Sequence, residues 1–159
     1  MLFTGEYEHT IDAKHRMAIP ADFRSLMQPD SLGSAFYLSP GLNGALWLWP
    51  ERTFERLAGA MSSSLLQNEE LMEFEQLLYS QSRRLELDKT GRVRLPERML
   101  AEAQLGQQVV ILGVKDHLEL RDPEQWKSQR QQKLAMQAEI MMRARRALSQ
   151  EAGDRGERR

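Results

Sequence analysis

The chain of 159 residues is 41% apolar and carries a formal net charge of −1, which is compatible with one compact domain or two very small ones. It contains no cysteine, so disulfides and thiolate metal sites are excluded. The charge is uneven, with 5 basic and 11 acidic residues in positions 1–80 against 17 and 12 in positions 81–159. A uniformly basic DNA-coating protein is therefore excluded, and any contact with nucleic acid must depend on a few placed residues.

The start of the chain carries no recognisable targeting signal. Its first ten residues, MLFTGEYEHT, lack both the basic start and the apolar run of a signal peptide. No apolar run in the sequence approaches the length of a membrane span. We therefore expect a soluble cytoplasmic protein.

In chain order, the first predicted strand leads into a motif that recurs in the second half of the sequence. IDAKHRMAIP occupies positions 11–20, and LDKTGRVRLP occupies positions 87–96. The polar residues shared in register are Asp12, Arg16 and Pro20 in the first copy and Asp88, Arg92 and Pro96 in the second. Apolar positions between them change only among apolar types, so the two stretches read as an internal repeat.

Each copy of the motif predicts two strands around a tight polar turn. Tyr7, His9 and Ile11 alternate with polar residues, as in a half-buried strand, and RMAI and RVRL form short return strands. The proline that follows each return strand suits the first position of a helix. A second strand pair then follows in each half, AFYLS with ALWLW around an Asn-Gly turn and QVVIL with HLELR around GVKD.

Helices are predicted between and after the two repeats. LLQNEELMEFEQLLYSQ and the long stretch from Trp126 to Gln150 both have apolar residues at helical spacing. We predict a first repeat at 5–53, a helical connector at 54–80, a second repeat at 81–125, a C-terminal helix at 126–150 and a disordered tail at 151–159. One unit of about 45 residues could hardly bury a sheet alone, so we expect an α+β fold in which two units form one pseudo-two-fold β-barrel.

Three segments together resemble the MraZ family of bacterial transcriptional regulators: GEYEHTIDAKHRMAIPADFR, ALWLWPERTF and LELDKTGRVRLP. The resemblance covers roughly residues 1–126 and implies two AbrB-like (SpoVT-AbrB) swapped-hairpin repeats. It also implies a cytoplasmic, nucleoid-associated protein that binds direct repeats in double-stranded DNA upstream of the division and cell-wall gene cluster and regulates its own operon. A ring-like homo-oligomer is implied as well, with the D-x-x-x-R loops facing DNA.

The two D-x-x-x-R loops are the predicted DNA-binding site. Aspartate can accept backbone N–H bonds and set the shape of the turn, and arginine presents a planar fork suited to phosphate or to a guanine edge. Nearby lysines and arginines would add phosphate contacts, which position the protein without specifying a sequence. The predicted DNA-binding residues are Asp12, Lys14, His15, Arg16, Asp88, Lys89, Arg92 and Arg94.

One residue of the first loop departs from the family pattern. The family usually has glycine before the loop arginine, as this chain has at Gly91, but the first loop has His15. If that position needs a positive φ, histidine is among the less unfavourable alternatives to glycine. Two interpretations follow, a strained first loop or a phosphate contact from His15.

The strand ALWLW is apolar on both faces, so both faces should be covered. One cover is the core. For the face of Trp47 and Trp49 we predict an oligomer interface or the Leu71–Leu78 helix, and packing within the chain alone is the alternative. Alternation predicts that Leu46 and Leu48 point the other way.

Other function classes have less support in the sequence. It has no G-x-S-x-G motif, no phosphate-cradling glycine loop and no Cys/His pair, so we expect no enzyme activity and no cofactor or metal. An oligomeric scaffold or protein-interaction module that does not bind nucleic acid is an alternative, which the acidic first half favours. RNA binding is a second alternative, but none of the three tyrosines lies near the loops to stack on bases.

Overall fold

A computed structural model of the protein describes residues 2–61, 65 and 68–157. The first repeat comprises β1 (Glu6–Thr10), β2 (Arg16–Ala18), α1 (Ala21–Arg24), β3 (Ala35–Pro40) and β4 (Leu46–Pro50). The helices α2 (Glu51–Ala60) and α3 (Glu69–Gln81) follow it. The second repeat comprises β5 (Arg83–Glu86), β6 (Arg92–Arg94), α4 (Glu97–Glu102), β7 (Gln108–Val114) and β8 (His117–Arg121), and is followed by α5 (Pro123–Ala135) and α6 (Gln137–Glu157). The predicted α+β class and the order of elements are confirmed.

Local sequence explains where the helices of the repeats begin. Pro20, Pro50 and Pro96 each occupy the residue before a helix, where the ring holds φ close to −60° and the chain leaves its strand. The connector helix α3 has a polar cap instead, because the side chain of Asn68 accepts a hydrogen bond of 2.8 Å from the backbone N–H of Glu70.

The main sheet has six antiparallel strands in the order β1-β7-β8-β4-β3-β5. The order is unchanged when every strand is replaced by its counterpart in the other repeat and the sheet is read from the opposite edge. Each edge strand pairs with a strand of the other repeat, β1 with β7 and β5 with β3. The centre is the β4–β8 pair, where Trp47 lies opposite its own counterpart, Glu119. The two repeats therefore exchange strands, and neither completes a sheet alone.

The return strands β2 and β6 form a separate two-stranded ribbon. Met17 lies opposite its counterpart Val93, and both side chains are almost fully buried. The pseudo-two-fold axis that relates the repeats thus passes through the centre of the ribbon and the centre of the sheet. The ladders of the described residues give one sheet and one ribbon, and closure into a barrel stays a prediction.

One apolar cluster joins the sheet and the ribbon. Leu38, Leu48, Ile111 and Leu120 bury the inner face of the sheet, and the cluster also contains the central residues of the ribbon. Because alternate residues of a strand point to opposite sides, burial of these positions directs their neighbours away from the core. The outer faces of ribbon and sheet are therefore the two candidate surfaces for partners.

The C-terminal segment differs from its prediction in two respects. The chain divides into two compact units, Met1–Pro123 and Glu124–Arg159, and the expected single helix is two, α5 and α6, with Met136 between them. Residues 151–157, predicted to be disordered, continue α6, where charged residues at helical spacing such as Glu151 and Arg155 approach within 3.8 Å. Among the described residues, no helix is long and apolar enough to span a membrane.

Gly113 of β7 provides a test of how closely the N-terminal segment packs on the sheet. Its N–H donates to the carbonyl of Gly5 at 2.9 Å, and an added Cβ would lie 2.7 Å from the carbonyl carbon of Phe3. We expect Gly113→Ala to lower the free energy of unfolding by about 1–3 kcal/mol, because backbone must shift to admit the methyl group. Urea denaturation measures this change.

Gly106→Ala is the matched control, because a Cβ at Gly106 would meet no atom within 4 Å. This variant should change stability by no more than about 1 kcal/mol, with stabilisation as the favoured sign. Equal stability of the Gly113→Ala variant and the parent would contradict the close packing at Gly113.

Candidate nucleic-acid interface

The loop between β1 and β2 is built around the carboxylate of Asp12. Its Oδ1 accepts hydrogen bonds from the backbone N–H groups of Lys14 (2.9 Å) and Arg16 (2.8 Å). Its Oδ2 accepts a bond of 2.7 Å from Nε of Arg16. The carboxylate therefore fixes both the backbone of the turn and the direction of the arginine, as the D-x-x-x-R spacing predicts.

The loop between β5 and β6 repeats this arrangement around Asp88. Oδ1 accepts from the backbone N–H groups of Thr90 (2.9 Å) and Arg92 (3.0 Å), and Oδ2 accepts from Nε of Arg92 at 2.9 Å. The hydroxyl of Thr90 adds a bond of 2.8 Å to Oδ1. The two loops thus share one geometry, with one extra donor in the second.

The hydrogen bonds within each loop change the acidity of its carboxylate. They lower the pKa of Asp12 and of Asp88, and the bond from the backbone N–H of the loop arginine contributes most. Both acids are therefore charged at neutral pH, and each remains a partner for its arginine. Neither terminal amino group of Arg16 or Arg92 has a hydrogen-bond partner among the described residues, which leaves these donors for a ligand.

The residue before each loop arginine has a positive φ, 60° at His15 and 76° at Gly91. An added Cβ at Gly91 would lie 2.9 Å from the guanidinium carbon of Arg24, so a side chain here would have to displace the end of Arg24, at a positive φ that favours glycine. The counterpart of Arg24 in α4 is Leu100, which is buried in the core, and a cleft of about 480 Å³ lies beside the first loop. His15 borders that cleft, so the first loop has room for the histidine.

The ribbon brings the two loops onto one structure. The carbonyl of Gly91 accepts from the N–H of Ile19 at 3.0 Å, and the carbonyl of His15 accepts from the N–H of Leu95 at 2.8 Å. Each loop is therefore tied to the return strand of the other repeat. Because Met17 and Val93 point into the core, the loop arginines that flank them in β2 and β6 point to the outer face.

The outer face of the ribbon carries three arginines. Arg16 and Arg92 have side chains that are 33% and 32% exposed, and Arg94 is exposed opposite Arg16 in the ladder. Lys14 and Lys89 are exposed on the loops. The predicted loop residues are thus gathered at one ribbon, where Arg16 and Arg92 are anchored at Nε.

Sequence reasoning missed one cation of this region. Arg24 of α1 donates from Nη1 to the carbonyl of Thr90 at 3.4 Å, so it supports the second loop from behind. Its position in the first turn after Pro20 was visible in the sequence, but the counterpart position in the second repeat holds a leucine. The features shared by the two repeats therefore give no signal for Arg24.

Trp47 and Trp49 lie on the outer face of the sheet, away from the ribbon. Their rings meet edge to face at 5.9 Å, and Nε1 of Trp49 donates to Oγ of Ser39 at 3.2 Å. With α2 and α3 they line an apolar groove of about 490 Å³, whose α3 wall includes Phe74 and Leu77. The Leu71–Leu78 helix thus covers the tryptophans only in part, and both remain half-buried.

A buried charged cluster adjoins the two tryptophans. The ring of His117 stacks on Trp49 with centroids 4.3 Å apart, and its nitrogens lie 3.0 Å from Asp116 and 3.4 Å from Glu119. Burial alone would lower the pKa of His117, but the two carboxylates outweigh it and raise the pKa. Burial likewise favours the neutral acid at Glu119, and the bonds from His117 and Arg121 overcome it and lower the pKa.

Comparison with known proteins gives a family match over both repeats. The chain matches the model of the family described as "MraZ protein, putative antitoxin-like" at residues 2–74 and again at residues 78–148. The second match extends through much of α6, beyond residue 126, where the resemblance of the sequence motifs ended. Each match begins just before an edge strand, β1 or β5, and so follows the duplication seen in the structure.

Curated relatives cover most of the chain. A protein of Roseiflexus castenholzii is 37% identical over 127 residues, which are 80% of this chain and 85% of the relative. Proteins of Lactiplantibacillus plantarum and Clostridium acetobutylicum are 35% and 31% identical over 125 residues, 79% of this chain and 85% and 84% of their own lengths. All three bear the name "Transcriptional regulator MraZ".

Asp88→Asn tests the electrostatic part of the loop geometry. Because native contacts lower the pKa of Asp88, its ionised form stabilises the folded state above the unfolded pKa, about 3.9, and this contribution is lost as pH falls through the folded pKa. We expect the free energy of unfolding of the Asp88→Asn variant to be lower than that of the parent, with the largest difference at pH 7 and a smaller one towards pH 2.

Urea unfolding at a series of pH values measures this deficit, with Asp30→Asn, a substitution of an exposed loop acid, as the control. The control should differ little from the parent at every pH. A deficit of constant size across the whole pH range would contradict the role of the Asp88 charge.

Proposed function

The chain belongs to the MraZ family, whose curated members are named transcriptional regulators, and from this premise we propose that it regulates transcription by binding specific DNA sequences. The observation that carries the proposal is the ribbon with two loop arginines, Arg16 and Arg92, on one outer face. A carboxylate holds each at Nε, so little side-chain freedom remains to be lost on binding. A non-enzymatic role is part of this proposal.

The proposed contacts divide into two kinds. Arg16 and Arg92 are the candidates for base edges in a groove, since a guanidinium can bind the O6 and N7 atoms of guanine with two bonds. Lys14, Lys89 and Arg94 are candidates for phosphate, and His15 adds a further donor beside the first loop. Asp12 and Asp88 act by positioning these groups.

The proposed targets are direct repeats in double-stranded DNA, upstream of the division and cell-wall gene cluster and of the protein's own operon. One ribbon offers few cations, so affinity would come from several subunits engaging several repeats at once. Repeats on one face of DNA would then lie about 10 bp apart. A cytoplasmic, nucleoid-associated location follows from this role.

A ring-like homo-oligomer would supply the several ribbons. Its proposed interface is the face of Trp47 and Trp49. The apolar groove there is open to solvent, and exposed apolar residues of α3 form one of its walls. Apolar surface of this kind is common at sites of protein association. The ribbon lies across the core from this groove, so association there would leave the loops accessible.

The open groove also favours a second candidate, an oligomeric scaffold that does not bind nucleic acid. Both candidates predict association through the tryptophan face, and only the first predicts a function for the ribbon. Retention on DNA or heparin at low salt, lost when both loop arginines are replaced, separates the two.

Arginine substitution in the loops is the direct test of DNA binding. We expect Arg16→Ala and Arg92→Ala each to weaken binding to a selected operator by about 1–3 kcal/mol, because each removes a placed contact. Fluorescence anisotropy with labelled duplex measures the change, and the parent's affinity should fall steeply with salt. Arg56→Ala, at an exposed arginine of α2, is the matched control. Unchanged affinity in both loop variants, or a flat salt response, would refute the proposal.

Trp47→Asp tests the oligomer interface. A carboxylate placed on this face should reduce the mass measured by light scattering, because the charge would have to be buried on association. Leu77→Asp on α3 should have the same effect, and since that leucine is 66% exposed its replacement does not disturb the core. An unchanged mass for both variants, with native circular dichroism, would show that the groove is not the interface.

A further inference from the structure

We propose that Arg94 gives the ribbon a direction on DNA, so that one subunit distinguishes the two orientations of its half-site. This inference rests on the proposed function, since it concerns how the same surface would read a duplex. It moves Arg94 from the phosphate candidates to the residues that contact a base edge and so specify sequence, beside the two loop arginines.

The starting point is the symmetry of the ribbon. The central residues Met17 and Val93 face each other on the pseudo-two-fold axis, and the loop arginines are exchanged by that axis. A protein surface with two-fold symmetry reads a self-complementary site, because the two strands of DNA are themselves related by two-fold axes. If the ribbon were fully symmetric, the half-site would have no direction.

One pair of positions on the outer face breaks this symmetry. Arg94 and Ala18 are counterparts in the two repeats, and both lie on the same face as the loop arginines. Arg94 is exposed opposite Arg16, whereas Arg92 has only the methyl group of Ala18 opposite it. The two ends of the ribbon therefore present different groups, two guanidiniums at one end and one at the other.

The charge of the two ends differs for the same reason. Asp12 neutralises Arg16 and Asp88 neutralises Arg92, but Arg94 has no carboxylate partner in the part of the chain that the structure describes. Like charges directly opposite each other in a ladder are unfavourable in the free protein. A group rich in acceptors beside Arg16 and Arg94 would offset that repulsion, so the excess charge favours a guanine edge, with its O6 and N7 atoms, at this end.

The residues behind the two loops also differ, and they do not cancel the difference in charge between the two ends of the ribbon. Arg24 brings a cation to the second loop, but its Nη1 is engaged by the carbonyl of Thr90 and its side chain packs where Gly91 has no Cβ. The first loop instead borders the cleft lined by His15. Arg94 is thus the exposed, uncompensated arginine that distinguishes the two ends of the outer face.

The experiment selects DNA from a random pool with the full chain, and then measures affinity for a duplex that carries a single half-site. The parent should enrich a half-site that is not self-complementary. Arg94→Ala should weaken binding about tenfold and shift the enriched half-site towards self-complementarity, because both ends would then offer one arginine. Ala18→Arg should also select a more self-complementary half-site, but without the loss of affinity, because both ends would then offer two.

The outcomes separate this inference from the proposed function. If the parent enriches a sequence and the Arg16→Ala, Arg92→Ala double variant does not, the proposed function stands. An Arg94→Ala variant that then enriches the same directional half-site as the parent would overturn the polarity inference alone. A parent that enriches no sequence would overturn both. Circular dichroism of each variant establishes that the exposed substitutions leave the fold intact.

Discussion

The exchange of strands between the two repeats is the constraint on which the rest of the structure depends. Each edge strand of the sheet, β1 or β5, has its one ladder partner in the opposite repeat, β7 or β3. Neither half can therefore keep its sheet without the other. The same exchange brings the return strands together on the axis, since each follows directly from an exchanged strand through a turn. The ribbon is a consequence of how the sheet is completed.

The loops show how a short motif places two arginines on one outer face of this scaffold. One carboxylate in each loop accepts from two backbone N–H groups and from one guanidinium nitrogen. The backbone bonds define the turn, and the side-chain bond directs the arginine outward at the point where the strand begins. Exposed ion pairs contribute little to stability in general, so the value of this pair lies in orientation more than in folding energy. Preorganised donors of this kind reduce the entropy lost when a ligand binds.

Much of this arrangement could be predicted from the sequence, because a pattern that occurs in both repeats is more reliable than one that occurs once. The first strand, the D-x-x-x-R spacing and the proline after the return strand repeat at an offset of 76, and they correctly mark a strand, a turn and a helix start. The supporting role of Arg24 was not accessible, because it is present in one copy only. The end of α6 was also missed, since a polar segment with no apolar residue except Ala152 reads as disorder when its charges are not followed at helical spacing. Strand pairing across the repeats depends on long-range register, which local patterns do not encode.

The contact between Arg24 and Gly91 links two positions that are 67 residues apart in the chain. A side chain at position 91 and a long side chain at position 24 would compete for the same volume, whereas the other half of the molecule combines His15 with Leu100 and leaves that volume open. One half of the molecule thus combines Arg24 with Gly91, and the other combines Leu100 with His15. We therefore expect the effect of a substitution at position 91 to depend on the residue at position 24, so that the two positions form an epistatic pair.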